Sequence, residues 1–239
     1  MQAIAETIEC AESTVWNYIH EMLPSLRNQL PASLLEQWQQ ECSRVERAEL
    51  DHWLAELPAG ALLVDSREQP IPRPSDEQQQ ASYDSGKQKD HPRKNQGITL
   101  PNGVDIVDVV LGEKEPCSDS NLLEHTQSEL PEELSFIGDK AYVGRHKTTT
   151  PHKKPPKGAL TAAQKEFNRR LSQNRVAVEH LIRVIKDFRV AKETFRRHSR
   201  LYEEVTACVC GLVRLAGAVC LNSELQQLNL LIFLIFEDV

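Results

Sequence analysis

Two aspartates directly follow short apolar runs in this sequence. Asp65 comes after Leu62-Leu63-Val64, and Asp139 comes after Phe136-Ile137-Gly138. A carboxylate at the C-terminal end of a buried strand is held rigidly at the edge of a sheet, where ligands gather in open α/β sheets. Aspartate also ends many strands because it favours turns, and for one such residue alone that interpretation is preferred.

A third acid, Glu179, lies within a predicted long helix and changes that balance. At 100° of rotation per residue, the polar residues within about 40° of it are Asn168, Ser172, Arg175, Arg183 and Lys186. Such a face fits a carboxylate that meets a metal ion, with cations beside it to meet phosphates. It also fits an exposed face of i,i+4 ion pairs, each worth roughly 0.2–0.5 kcal/mol.

The elements that must position these acids follow from periodicity and turn residues. Apolar runs predict strands at 60–64, 96–100, 104–110, 134–138 and 146–150, and helices at 118–130, from Thr161 to about 191, and at 202–221. Asn102-Gly103 between two β-rich runs predicts a hairpin. Three prolines between Gln69 and Pro74 predict that this segment leaves the sheet. The element order predicts an α/β domain with a mixed sheet flanked by helices.

The first 57 residues are predicted to be helical. A short helix at 3–8 precedes Ser13, a good N-cap for a second helix at 14–23. Two short helices and a tight turn fit a helix-turn-helix that offers Thr14 and Asn17 outward, although any small helical hairpin would have a similar pattern. A third helix is expected from about 31 to 57.

Charge is unevenly distributed along the 239 residues, whose net charge is −7. Between Lys140 and Arg200 the balance is +13, and over the rest of the chain it is −20. A strongly basic segment in an acidic protein is typical of a polyanion binder, because phosphate neutralisation acts locally. A solvated helical surface explains the charge about as well.

The six cysteines include no Cys-x-x-Cys pair, which argues against a zinc site of the usual spacing. Cys208 and Cys210 are expected to pack in an apolar helix. No signal peptide or membrane span is expected, so the sequence predicts a cytoplasmic protein with free thiols.

Several motifs resemble those of bacterial insertion-sequence transposases of the DDE superfamily. The spacing Arg175-x3-Glu179-x6-Lys186 is similar to the family signature around the last catalytic acid, although Ser172 stands where a Tyr is usual. Residues 137–142 and 63–66 resemble the segments around the second and first acids. Segments 85–91, 149–155 and 208–213 also look familial, so the resemblance spans roughly residues 13 to 215.

The resemblance implies a ribonuclease H-like fold in which Asp65, Asp139 and Glu179 bind two Mg²⁺ or Mn²⁺ ions. Such an enzyme cleaves DNA at the ends of an insertion sequence and transfers the freed strand. Its implied partners are the terminal inverted repeats and target DNA, bound by a homodimer in the bacterial nucleoid. The implied DNA contacts are Arg175, Lys186, Arg183, Lys140, Lys153, Lys154, Thr14 and Asn17.

The expected organisation is a helix-turn-helix-like region at 1–57, clipped at its start, a catalytic domain at 58–222, and an atypical apolar tail at 223–239. Asp90 and Pro92 lie in the basic segment, where the family favours cations and strand formers. These departures leave open a degenerate copy that binds DNA and does little chemistry. A different nuclease on the same fold is also open, because fold does not determine function.

Overall fold

The computed structural model describes residues 2–41, 61–73, 92–101, 103, 105–114, 117–196 and 198–221. Three expectations fall outside these residues: the third helix beyond position 41, the polar segment that contains Asp90, and the apolar tail at 223–239.

The described residues form α-helices and a sheet in the predicted order. The helices are α1 Gln2–Thr7, α2 Glu12–Gln29, α3 Leu34–Glu41, α4 Asp119–Gln127, α5 Ala162–Asp187, α6 Arg189–Lys192 and α7 Tyr202–Leu221. The strands are β1 Leu62–Pro70, β2 Pro92–Thr99, β3 Ile106–Lys114, β4 Phe136–Ile137 and β5 Thr148–Thr149. Short 3-10 helices occupy Lys140–Tyr142 and Ser199–Leu201.

The sheet has the strand order β3-β2-β1-β4-β5. The β3-β2 and β2-β1 pairs are antiparallel, whereas β1-β4 and β4-β5 are parallel. Helices cover both faces: α3 and α4 contribute to a core cluster around Leu62 and Val64, and α5 packs on Leu63 from the other side. A mixed sheet flanked by helices confirms the predicted fold class, which is consistent with a ribonuclease H-like domain.

Strand β1 presents alternate side chains to these two layers, as a period of two requires. Leu62 and Val64 are buried towards α3 and α4, and Leu63 is buried towards α5. By the same alternation Asp65 shares the α5 side with Leu63, while Ser66 shares the α4 side with Val64. This alternation decides which helix each polar residue of β1 meets.

Strand β1 extends further than expected, which corrects two predictions. Asp65 lies within the strand and not at its end, because pairing with β2 continues to Gln69 opposite Arg93 and Pro70 opposite Pro92. Pro70, Pro72 and Pro74 were expected to keep residues 69–74 out of the sheet, and Pro92 was expected to interrupt pairing. Instead Pro70 is the last residue of β1 and Pro92 is the first residue of β2. At a strand end a missing N–H donor costs little.

The N-terminal helices differ in detail from the expectation. Helix α2 begins at Glu12 with Ala11 in the N-cap position, so Ser13 is not the cap. The spacing of Val15, Trp16, Met22 and Leu23 predicts one apolar face, but only Val15 and Leu23 of these four are buried, and Trp16 and Met22 are exposed. The helix-turn-helix assignment stays a prediction. No helix in the described segments is long and apolar enough to cross a membrane.

Candidate active site

The parallel pairing of β1 with β4 brings two aspartates to the same level. Leu62 pairs with Phe136, and Leu63 pairs with Ile137. Two residues further along each chain, this register sets Asp65 level with Asp139. The Asp139 carboxylate accepts a hydrogen bond at 2.7 Å from the Ala141 backbone N–H, which caps the following 3-10 helix and orients the side chain.

Helix α5 carries Glu179 to the same edge of the sheet. The helix begins at a capping box in which Thr161 Oγ1 accepts from the Gln164 N–H at 3.2 Å and Gln164 Oε1 accepts from the Thr161 N–H at 3.0 Å. This confirms the predicted start. Val178 is fully buried against the sheet in the cluster that contains Leu63, so its neighbour Glu179 lies at the rim with 55% of its side chain exposed.

Arg175 connects two of the three acids. One terminal nitrogen of its guanidinium lies 3.6 Å from Asp65 Oδ2 and 3.5 Å from Glu179 Oε1. Only 15% of the Arg175 side chain is exposed, and its Nε is buried without a hydrogen-bond partner among the described residues. The residue predicted to contact phosphate therefore sits as a buried cation within ion-pair distance of two predicted metal ligands.

The pKa of Asp65 depends on the charges of the groups around it. Burial raises the pKa of Asp65, and the Arg175 guanidinium and the Ser66 N–H oppose that rise. Negative charge on Asp139 and on Glu179 raises this pKa further. The three carboxylates thus lie within electrostatic range of each other.

An open cavity of about 450 Å³ lies in front of Asp65 and Glu179, and Asp139 is not among the residues that line it. Asp65 and Glu179 line it together with Ser66, Asp119 and Lys186. The cavity is wide enough for a charged group of a substrate, and Lys186 provides positive charge at its wall.

A hydrogen-bonded network lies behind Asp65 on the α4 side of the sheet. Ser66 Oγ donates to Asp119 Oδ1 at 2.7 Å, and Tyr142 OH donates to Ser66 Oγ at 3.3 Å. Gln96 Nε2 donates to Tyr142 OH at 3.2 Å, and Lys94 Nζ forms an ion pair with Asp119 at 3.1 Å. The network joins β1 and β2 to the 3-10 helix that follows Asp139, so it holds the two aspartates in a constant relation.

Gly138 makes room for this network. A Cβ atom at position 138 would lie 2.6 Å from the Tyr142 ring, so no other residue fits beneath the ring without displacing it. Tyr142 is 1% exposed, and its burial raises the pKa of the phenol well above its usual value. The hydroxyl is therefore a neutral donor and acceptor at physiological pH.

A second network holds the far end of β1 against the residues after α5. Arg67 donates to the Ala191 carbonyl at 2.5 Å, and Gln69 Nε2 donates to the Val190 and Glu193 carbonyls at 2.7 and 3.0 Å. The buried Tyr202 hydroxyl donates to Gln69 Oε1 at 3.1 Å. We name this set of contacts the β1 clasp. It ties the far end of β1 to the segment that follows α5 and to α7.

Five of the predicted DNA contacts fall into two groups. Lys186 lines the cavity, Arg183 is exposed one turn beyond Glu179, and Lys140 is exposed directly after Asp139. Thr14 and Asn17 lie on α2, which packs against α7, and neither lines the cavity.

Lys153 and Lys154 are exposed in the loop after β5, which leaves the sheet at the Asp139 edge. Asn168 of α5 fixes this loop, because its side chain accepts from the His152 N–H at 2.8 Å and donates to the His152 carbonyl at 3.1 Å. The two lysines are therefore presented from an anchored loop.

The donor set fits a hard divalent cation, since carboxylate oxygens are the ligands that Mg²⁺ and Mn²⁺ prefer. A cationic nitrogen already lies within 3.6 Å of two of the carboxylates. Among the described residues no three His, Cys, Asp or Glu side chains converge closely enough to ligate one ion. The single positive charge of Arg175 offsets part of the negative charge of Asp65 and Glu179.

Sequence reasoning missed Ser66, Asp119 and Tyr142. Ser66 and Tyr142 lie within segments whose familial appearance was noted, but periodicity alone does not indicate that their hydroxyls meet across 76 positions. Asp119 is an ordinary first-turn acid of a helix capped by Ser118, and only the tertiary structure brings it to the cavity.

Comparison with known proteins gives the family of this chain. A family model described as DDE superfamily endonuclease matches residues 64–214. The "Probable transposase for insertion sequence element IS702" of Microchaete diplosiphon is 32% identical over 155 residues, which are 63% of this chain and 55% of that protein. The chain thus spans about half the length of this curated relative. No solved structure matches at a significant level. Because the family model covers more than half of the sequence, including Asp65, Asp139 and Glu179, the chain belongs to the DDE superfamily of endonucleases.

Proposed function

We propose that this chain is an insertion-sequence transposase that cleaves and joins DNA with divalent metal ions bound by Asp65, Asp139 and Glu179. The observation that carries the proposal is the placement of Asp65 relative to the other two acids. The β1-β4 register sets Asp65 level with Asp139, and one guanidinium nitrogen lies within 3.6 Å of both Asp65 and Glu179.

The chemistry follows from the charges around the cavity. Two bound ions would activate a water or a 3′-hydroxyl and stabilise the leaving oxygen of the phosphodiester. The chain's own residues would do the rest: the three carboxylates would hold the ions, and Lys186 at the cavity wall would meet a phosphate oxygen. Tyr142 and Ser66 keep Asp65 in position relative to Asp139 through their hydrogen bond.

The DNA surface in this proposal surrounds the acids. Lys140, Lys153 and Lys154 are exposed at the Asp139 edge of the sheet, and Arg183 extends the surface along α5. Thr14 and Asn17 of α2 form a separate contact region for terminal repeats, as the helix-turn-helix prediction implies. We propose a homodimer as the form that binds two element ends, which the mass of the protein–DNA complex in solution would test.

The decisive experiment is cleavage of a labelled duplex that carries the terminal inverted repeat. Mg²⁺ should support cleavage by the wild type, EDTA should abolish it, and Asp139→Asn should lower the rate by roughly a hundredfold or more. Asp187→Asn is the matched control, because this exposed aspartate ends α5 and does not line the cavity. Equal cleavage by wild type and Asp139→Asn would refute the metal-site assignment.

Two other functions give different results in the same assay. A degenerate copy would bind the labelled repeat without cutting it at any metal concentration. Another nuclease on this fold would nick DNA in a Mg²⁺-dependent way whether or not the repeats were present.

A further inference from the structure

We infer that Arg175 is the internal counter-ion of the proposed metal site, offsetting part of the negative charge of Asp65 and Glu179 when no metal is bound and opposing metal entry. The inference rests on the proposed function, because it concerns the same carboxylates. It differs from the phosphate contact expected for Arg175 from the sequence, since the cationic group points at protein carboxylates.

The geometry of the guanidinium supports this role. The same terminal nitrogen reaches Asp65 Oδ2 at 3.6 Å and Glu179 Oε1 at 3.5 Å. Asp65 belongs to the sheet and Glu179 to α5, so Arg175 joins the two elements that must both contribute ligands. One positive charge near two carboxylates occupies the electrostatic position that a metal ion would take.

The buried Nε of Arg175 indicates that the two acids hold this side chain in place. Its Nε is buried and has no hydrogen-bond partner among the described residues, although the side chain is only 15% exposed. A buried donor without a partner is unfavourable, because it has lost its hydrogen bond to water. A conformation that leaves this donor unpaired persists because the ion pairs with Asp65 and Glu179 offset that cost.

Helix α5 offers a contrast in Arg170. Its Nε forms a 2.8 Å ion pair with Glu166, and 75% of its side chain is exposed. This pair lies outside the cavity lining, so it repeats the chemistry of an Arg–Glu pair away from the proposed ligands. Arg170→Gln therefore controls for the loss of one such pair on the same helix.

The test measures Mn²⁺ binding to the full chain by electron paramagnetic resonance, without DNA. A charge within 4–6 Å of a carboxylate shifts its proton equilibrium by 1–3 pKa units, and a divalent cation should respond at least as strongly. Arg175→Gln should therefore bind Mn²⁺ about tenfold more tightly than the wild type, while Arg170→Gln should match the wild type. In EDTA, Arg175→Gln should melt at a lower temperature than the wild type, and Mn²⁺ should raise its Tm by more.

A measurement on the wild type keeps the inference testable if Arg175→Gln folds poorly. The Arg175 Nε–H resonance, assigned as the one missing from Arg175→Lys, should shift when Mg²⁺ is added. The inference would be overturned if Arg175→Gln bound Mn²⁺ no more tightly than the wild type. It would also be overturned if the Nε–H resonance did not shift when Mg²⁺ was added. Neither result would contradict the proposed metal site. Absence of Mn²⁺ binding in wild type and variant alike would overturn the proposed function and this inference together.

Discussion

Asp108 on β3 illustrates how burial changes the pKa of an aspartate. Burial raises the pKa of this carboxyl to about 6, the Val109 N–H opposes the rise, and the charges of Glu129 and Glu36 add to it. Because the folded state binds the proton more tightly than the unfolded chain, Asp108 favours folding below about pH 4. That contribution is lost as the pH rises through about 6.

Replacement of Asp108 by Asn should therefore stabilise the protein at neutral pH. The amide oxygen can still accept the Val109 N–H, which lies 2.8 Å from the carboxylate. We expect the free energy of unfolding at pH 7.5 to rise by about 1–2 kcal/mol, and the gain to vanish near pH 4. Urea titrations at both pH values measure it, with the exposed Asp187→Asn as control. A gain of equal size at both pH values would contradict the assigned cause.

At the scale of single elements, the contact between α2 and α7 depends on one missing side chain. Gly211 of α7 faces the end of α2, where a Cβ atom would lie 2.5 Å from the Leu30 carbonyl oxygen and 2.8 Å from the Leu30 Cβ. The Leu30 N–H is bonded to the Leu26 carbonyl at 2.9 Å, so the backbone oxygen cannot move without disturbing the end of α2.

Gly211→Ala should lower stability in spite of the better helix propensity of alanine. The propensity gain is about 1 kcal/mol, whereas overpacking against fixed backbone costs about 1–3 kcal/mol. We expect a net loss of about 1–2 kcal/mol in the free energy of unfolding, measured by denaturant titration. Gly158→Ala serves as control because its nearest neighbours would lie at 3.6 Å or more. A more stable Gly211→Ala would show that the two helices separate freely.

Much of this element structure could be predicted from the sequence, for local reasons. The Thr161 cap and the apolar stripe of α5 are short-range patterns, and so is the Asn102-Gly103 sequence that predicts the antiparallel pairing of β2 with β3. The full length of β1 could not be predicted, because its partner β2 begins at Pro92, 22 positions after Pro70. Propensity disfavours both prolines, and only strand pairing shows that they end the ladder together.

For the site, the sequence pointed to Asp65, Glu179 and Lys186, which line the cavity, and to Asp139, which does not. The sequence did not indicate that Arg175 faces carboxylates. An arginine four residues before Glu179 can form an i,i+4 ion pair with it, but it can also contact a phosphate. Ser66, Asp119 and Tyr142 escaped prediction because each becomes meaningful only once β1, α4 and the 3-10 helix lie side by side.

The molecule as a whole presents its anchored basic loop at the same edge of the sheet as Asp139. Lys153 and Lys154 follow the C-terminal end of β5, whereas Lys147 precedes that strand and donates to the Glu132 carbonyl at the opposite edge. DNA that reaches the acids should therefore contact the first two lysines and not the third.

The double variant Lys153→Gln/Lys154→Gln should weaken duplex binding and flatten its salt dependence. Loss of two phosphate contacts should reduce the slope of log K against log salt by about 2. Fluorescence anisotropy with a labelled duplex at several salt concentrations measures the slope, and Lys147→Gln is the matched control. An unchanged slope in the double variant would place the DNA path elsewhere.

The β1 clasp has a consequence for how the protein is made. The clasp joins Gln69 to the Val190 carbonyl and to Tyr202, so it is complete only after the ribosome has passed residue 202. Roughly 140 residues separate Asp65 from Tyr202, which is about 7–30 s of synthesis at 5–20 residues per second. During that interval the nascent chain carries the aspartates of the sheet without the completed clasp. A chain cut short before Tyr202 would therefore contain all three acids and still lack the contact that completes the clasp.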